Sequence, residues 1–442
     1  MGTPVLDSRG NGGHLTRIEE HTYWVFPGFL VSQGLWYKVF PTTLFWTRAH
    51  TIAWFALSLA ALFWYLRKLL PESNVVPWLA TMLFAGSFVA MDNAGFARPD
   101  IPCCALGLAS MAAYVHLREK SLVNALFVAN ALVALSGLMH PNGIFHWIGL
   151  VALILWLDRK RLRLASLAAA IIPYAVLGGF WALYLMQDTQ AVLDQLRGNS
   201  GDRWPGTWNP ILILGREFMR YWQAYGLVTG GVNSLKLLGL ILNWGAVAGC
   251  FLSRDLRNRD NVRFLLVQLG LYFLGLSVFN QKLTYYLIHI APFYAILNAV
   301  FLTWLMEQGV RWGRLLPVAI ALLIGVETGG IVLKAYTRSY VKAQRAAVKV
   351  VRSYARPGDR IYGSASLLYE MDFDSRLTDD AYLGTETGRV PNIIVIENLY
   401  RMLYEAWKIE RPADMRIVMD RLAGYRMSYR QDGYEVWVEK DR

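Results

Sequence analysis

Charge is scarce in this chain. Asp, Glu, Lys and Arg make up 17% of its 442 residues, where a soluble globular protein carries about a quarter. Cysteine is scarcer still. Cys103, Cys104 and Cys250 all fall inside apolar runs without CxxC spacing. They read as small apolar core residues, and nothing supports a disulfide framework or a cysteine metal site. Internal repeats and low-complexity stretches are missing. The polar C-terminal region contains neither a glycine-rich phosphate loop nor a nucleophile elbow.

What the chain does have is apolar surface. It is 55% hydrophobic, with 17 Trp and a mean hydropathy of +0.30. Apolar runs of membrane-spanning length recur at roughly 48–66, 75–91, 101–117, 122–139, 144–157, 164–186, 234–252, 263–279, 284–304 and 315–333. This pattern predicts a polytopic α-helical membrane protein. The net charge of +12 then calls for no nucleic acid, because Lys and Arg gather in short loops.

Those loops orient the stack. Arg67, Lys68, Arg118, Lys120, Arg159, Lys160, Arg161, Arg163, Arg254, Arg257, Arg259, Arg263, Arg311 and Arg314 fall on one side, which the positive-inside rule makes cytoplasmic. The short loops opposite, 92–99, 140–143 and 280–283, hold only Arg98 and Lys282. Segment 187–233 and the tail after Leu333 also fall outside.

The tail reads as a small α/β domain. Ala346–Tyr354 has a helical pattern, Asn392–Ile396 (NIIVI) reads as a buried strand, and Gln431-Asp432-Gly433 between Tyr425–Tyr429 and Tyr434–Val438 signals a hairpin. The expected fold is an all-α membrane bundle of ten to eleven helices with a small extracytoplasmic α/β domain. Its parts are an outer-face segment with an interfacial aromatic helix (1–47), the transmembrane domain (48–335) and the outer domain (336–442). With ten spans and an outer tail, residue 47 is also outside, yet no signal peptide opens the chain. Either Tyr23–Phe40 is itself a span, or it lies along the outer interface and a first helix upstream of Met1 is missing; we favour the second.

Polar residues cluster at the outer edge. Ionisable groups near membrane depth are functional candidates. Asp92, Arg98 and Asp100 stand between two apolar runs, and a mutual ion pair is the plain alternative for the last two. NQKLTYYLIHIAPFY (280–294) places Lys282, Tyr285 and Tyr286 where a helix begins, an arrangement that suits a phosphate oxyanion; a snorkelling lysine and an aromatic belt is the other reading. His140-Pro141-Asn142-Gly143 forms a third outer turn, and Glu19 and Glu20 precede an aromatic segment.

Together these pieces resemble the GT-C class of integral-membrane glycosyltransferases, in particular the group of protein O-mannosyltransferases and bacterial aminoarabinose transferases of lipid A. Three landmarks carry the resemblance in order: EEHTYWVFPG at Glu19–Gly28, ARPDIP at Ala97–Pro102, and QKLTYYLIHIAPFYAIL at Gln281–Leu297. The resemblance implies transfer of a sugar from a polyprenyl-phosphate donor to a glycan, lipid or protein acceptor on the outer face of the cell's inner membrane. It implies Glu20 or Glu19 as general base, Arg98, Lys282 and Tyr285 at the donor phosphate, and Asp100, with Asp92 and His140, at the acceptor or a divalent cation. The sequence does not fix whether such a cation is used. This chain departs from the family in its Glu-Glu pair, where Asp-Glu is usual, and in having no membrane helix before the first outer loop. The rival readings are a flippase or transporter for a lipid-linked saccharide, which calls for polar residues deep in the spans, and an inactive relative.

Overall fold

The computed structural model describes residues 21–200, 208–225, 236–308, 316–337 and 339–441. Two compact units emerge, one from Phe26–Met186 with Asp202–Leu333, the other from Met1–Val25, Gln187–Gly201 and Lys334–Arg442.

The first unit is helical. It begins with α1 (Pro27–Tyr37), whose 11 residues are too few to cross a bilayer. There follow α2 (Leu44–Leu69), α3 (Val75–Gly86), α4 (Phe88–Gly95), α5 (Asp100–Leu117), α6 (Leu122–Met139), α7 (Gly143–Asp158) and α8 (Leu164–Leu185). After α9 (Thr189–Ser200), which belongs to the second unit, come α10 (Pro210–Ala224), α11 (Leu237–Leu252), the short α12 (Arg254–Arg257), α13 (Asp260–Val278), α14 (Ala291–Glu307) and α15 (Leu316–Thr337). Among the described residues, each apolar run of the sequence is mainly helical. Among the described residues, five helices, α2, α5, α6, α8 and α13, are individually long and apolar enough to span a membrane. The protein is an integral membrane protein.

Two predicted spans are broken. The run 75–91 bends by 56° between α3 and α4. Ser87 takes extended backbone there, accepts the Ala90 N–H on its Oγ and so caps α4. The break frees the Phe88 N–H, which donates to Glu327 Oε2 at 2.7 Å. Glu327, an isolated acid in the sequence, thus supplies the acceptor that lipid cannot. The run 284–304 is also divided: Thr284–His289 forms a tighter 3₁₀ turn, and α14 starts only at Ala291, with Pro292 in its first turn. Asn130 and Asn243 are likewise engaged within the bundle. Asn130 donates to Leu126 O and accepts from the Tyr174 hydroxyl, while Asn243 donates to the Tyr225 hydroxyl and accepts from Asn298.

Helix α5 is the most enclosed of the five, with 78% of its apolar window buried against 17% in α8. Its position carries Asp100 into the interior at one end.

The second unit is built on a five-stranded sheet in the order β2-β1-β3-β5-β4, with β1 (Ile361–Tyr362), β2 (Leu377–Thr378), β3 (Ile393–Ile396), β4 (Tyr425–Gln431) and β5 (Tyr434–Glu439). Strands β1, β2 and β3 run parallel, and β5 pairs antiparallel with β3 and β4. The β4–β5 turn uses Asp432 and Gly433 at φ of 49° and 86°, the left-handed backbone of a type I′ hairpin. The uninterrupted IIVI run has a direct cause: β3 is covered on both faces. Ile393 and Val395 pack with Ala347 and Val351 of α16 (Ser339–Tyr354). Ile394 and Ile396 pack with Tyr400, Tyr404 and Trp407 of α17 (Asn398–Glu410) and Val418 of α18 (Pro412–Leu422). Within the same unit, residues His21–Tyr23 are tied to α9: the Tyr23 N–H donates to Gln195 Oε1 and Gln195 Nε2 donates to the His21 carbonyl.

Candidate functional site

Asp100 opens α5 and is fully buried. A carboxylate in the first helical turn faces the unpaired N–H groups and the positive end of the helix dipole. Its Oδ2 accepts from Arg98 Nε at 3.0 Å. The Arg98 guanidinium lies 3.5 Å above the centre of the Tyr285 ring, and Tyr285 meets Tyr286 edge-on at 4.9 Å. The fold brings Arg98, Asp100 and Tyr285 into one neighbourhood, and the plain ion pair between Arg98 and Asp100 is present.

The other oxygen of Asp100 is different. Oδ1 is buried without a hydrogen-bond partner, and so is Nε2 of His289. The two atoms face each other at 3.8 Å, and His140 Nε2 stands 4.0 Å from the same oxygen. His289 is backed by a second imidazole. Its Nδ1 is 3.0 Å from His146 Nε2, and His146 Nδ1 is 2.9 Å from the Tyr272 hydroxyl. Gly107 makes room for this stack, since a Cβ there would sit 2.1 Å from His146 Cγ. His140 Nδ1 accepts the backbone N–H of Asn142 at 3.1 Å, closing the HPNG turn. Asp100, His140 and His289 form one set of ligating atoms within 4.8 Å of one another, and Cys103, His146 and His289 form another.

Lys282 belongs to a neighbouring cluster that uses α10. Its ammonium donates to Glu217 Oε2 at 3.0 Å and to the Ser277 carbonyl at 2.7 Å. Glu217 also pairs with Arg220 at 3.2 Å, and Arg220 Nη2 donates to the Leu276 carbonyl. Arg220 is fully buried, with Nη1 unpartnered, and its guanidinium is 6.0 Å from the Tyr286 ring centre. Lys282 does not snorkel; its side chain is 9% exposed. Burial pushes the Glu217 carboxyl above the ordinary carboxylate range and the Lys282 ammonium below its own, each opposed by the other's charge. Two cations against one carboxylate leave this cluster net positive. With Arg98 on Tyr285 and Arg220 near Tyr286, cations flank both ends of the tyrosine pair. Such an arrangement attracts an oxyanion.

Asp92 lies half-buried on α4. Glu19 and Glu20 lie outside the described residues. Sequence reading missed Glu217, Arg220 and His146 as site members, and quoted His289 without a role. The GREFMRYWQ stretch of α10 carried one usable signal, two basic residues and an acid spaced at helical intervals beside aromatics.

No family model and no curated protein matches this sequence. Solved structures do. ArnT from Cupriavidus metallidurans bound to undecaprenyl phosphate is 12% identical, with a TM-score of 0.56 over 93% of this chain and 87% of that one. The same enzyme in its apo state gives a TM-score of 0.57 over 94% and 87%. The oligosaccharyltransferase of Archaeoglobus fulgidus, tethered to an acceptor peptide, is 13% identical with a TM-score of 0.50, over 95% of this chain and 66% of that one. An aminoarabinose transferase and an oligosaccharyltransferase are both GT-C enzymes, and this chain has the fold of the GT-C class of integral-membrane glycosyltransferases.

Proposed function

We propose that this protein is a glycosyltransferase that moves a sugar from a polyprenyl-phosphate-linked donor to an acceptor at the outer face of the inner membrane. The observation that carries the reading is the group of cations around the Tyr285–Tyr286 pair, Arg220 fully buried and Arg98 and Lys282 partly so, next to an open carboxylate oxygen at the head of α5. The similarity to a structure that holds undecaprenyl phosphate supports it. The sidedness rests on the basic loops at the opposite ends of the helices.

In this reading Arg98, Lys282 and Tyr285 receive the lipid phosphate, and Arg220 joins them. An acceptor hydroxyl loses its proton to Glu20 or Glu19, the acid pair of the family resemblance. The acceptor oxygen attacks the anomeric carbon as its bond to the phosphate oxygen breaks. The lipid phosphate leaves with the electron pair, and the fixed cations neutralise its charge. Asp100 holds Arg98 in place and, with His140 and Asp92, lines the acceptor side.

The transport reading loses its support, because Glu327, Asn130 and Asn243 are engaged in bonds that hold the bundle. The test is transfer from isotope-labelled polyprenyl-phosphate sugars in membranes. Arg98→Ala and Lys282→Ala should each cost about 100-fold in rate. Wild-type rates in both variants, or no transfer from any donor by the folded protein, would overturn the proposal.

A further inference from the structure

We infer that α16 carries a membrane-docking surface: Lys342, Arg345, Lys349 and Arg352 form a basic stripe that lies against anionic phospholipid headgroups of the membrane holding the chain. The inference goes beyond the transfer reading and does not depend on it.

The helix period builds the stripe. One face of α16, with Ala343, Ala347, Val348 and Val351, is buried in the apolar core against the sheet. The four cations stand at i, i+3, i+7 and i+10, which puts them on one side of the helix, and all four are exposed. Charge of a single sign sets this face apart. Residues 339–356 hold 5 Lys or Arg and no acid, whereas 357–442 hold 12 basic residues and 16 acids. A merely solvated helix face mixes both signs, as the exposed Glu405, Lys408 and Glu410 of α17 do. Glu370 meets Arg345 at 3.0 Å and Asp372 meets Arg352 at 2.6 Å, while Asp374, close to Arg352, is bound by Arg376. Exposed pairs of this kind contribute little and exchange readily for another anion. The charges of Lys342 and Lys349 add to the stripe beyond those two pairs.

Chain continuity supplies the occupant. α15 is the last of the apolar helices, and near its end Leu333 is 63% and Tyr336 84% exposed. An apolar residue followed by an aromatic one suits lipid and then its interface. Only Arg338 separates α15 from α16 in the chain, so Lys342 follows the end of α15 within about 18 Å of backbone. A headgroup surface is thus always within reach of the stripe, at a high effective concentration. From Lys342 to Arg352 the helix rises about 15 Å, roughly twice the Debye length at physiological ionic strength. A helix standing off the surface would leave Lys349 and Arg352 screened. One lying along it engages all four cations, and each basic side chain near an anionic surface adds to the attraction.

The experiment uses the full chain in nanodiscs, made either of phosphatidylcholine alone or of phosphatidylcholine mixed with phosphatidylglycerol. Ala346 is exposed between Arg345 and Lys349, so Ala346→Cys carries a fluorophore beside the stripe. The native Cys103, Cys104 and Cys250 are buried and stay unlabelled. A quencher attached to lipid headgroups reports approach to the surface, and thermal melting reports folding. Quenching should rise several-fold with phosphatidylglycerol and fall back at about 1 M salt, where the Debye length is about 3 Å. Lys342→Ala and Lys349→Ala should each weaken docking about 5-fold. Lys342→Glu combined with Lys349→Glu should abolish the rise at an unchanged melting temperature. The same fluorophore at Ile409→Cys, on the helix that covers the opposite face of β3, should show no rise. Equal quenching at Ala346→Cys in both lipids would overturn the inference. So would a rise that survives the double Glu variant, a rise of the same size at Ile409→Cys, or loss of the rise on adding millimolar inorganic phosphate, which would mark a site for soluble anions instead.

Discussion

Helix α5 carries a buried carboxylate problem at each end, and the two ends solve it differently. Near its C-terminus, Tyr114 and Arg118 meet Asp158 of α7. Asp158 Oδ2 accepts from the Tyr114 hydroxyl at 2.6 Å and from Arg118 Nε, while Oδ1 accepts from Arg118 Nη2 at 2.9 Å and from Arg161 at 2.8 Å. Both oxygens are saturated. At the N-terminus Asp100 is equally buried, but Arg98 satisfies only one oxygen and two imidazoles wait short of the other. Burying a carboxylate without full compensation is costly. The saturated end is architecture. The open end keeps an unmet demand for positive charge, and a binding site needs such a demand.

The sharpest way to break this contrast is to exchange the consequences. Asp158→Asn leaves Arg118 and Arg161 facing a neutral amide, and breaking such a buried pair costs about 3 kcal/mol. The melting temperature should fall by a few degrees while transfer per folded chain stays near wild type. If Asp158→Asn abolishes transfer in folded protein, the saturated end is not merely architectural.

Gly107→Ala tests the open end through packing. Its new Cβ meets the His146 ring, so the His146–His289 bond must shift, at a cost of about 1–3 kcal/mol in overpacking. Transfer should drop far more than the melting temperature. Equal activity in a well-folded Gly107→Ala would show that the imidazole stack is not needed.

Glu217→Gln probes the neighbouring cluster and should be milder. It releases Lys282 and Arg220 from their shared carboxylate. The affinity for polyprenyl phosphate should change by about 10-fold, while Lys282→Ala weakens it in every background. Binding that ignores both variants would separate this cluster from the site.

The smallest effect belongs to a half-buried pair in the sheet unit. Hydrogen bonds from Arg376 hold the Asp374 carboxyl below its ordinary 3.8. A carboxyl lowered in the fold stabilises above its unfolded value, and this contribution is lost as the pH falls through the folded one. Arg376→Ala should therefore lower the melting temperature by about 1 °C or less at neutral pH, with the gap to wild type closing as the pH drops below 3.8. A gap that widens in acid would reverse the sign.

Hydropathy made the helical bundle legible, because each run had to bury or face lipid along its whole length. It could not show the break at Ser87, since the acceptor that tolerates it, Glu327, is 239 positions away in sequence. Pro292 marked the true start of α14, but the apolar residues before it masked the 3₁₀ turn. In the tail, β3 announced itself because both its faces are covered. The two-residue strands β1 and β2 are too short to show a period. Arg98, Asp100 and Tyr285 stood out as polar or aromatic residues at a charge-poor edge. His146 and Arg220 did not, because their meaning comes from partners on distant helices: His289 for one, Glu217 and Tyr286 for the other.

The most direct measurement is transfer per folded molecule in Asp100→Asn beside Asp158→Asn, with labelled polyprenyl-phosphate sugars as donors. The account predicts background transfer for Asp100→Asn at a near-normal melting temperature, and near-wild-type transfer for Asp158→Asn at a lowered one. Wild-type transfer by Asp100→Asn would contradict it.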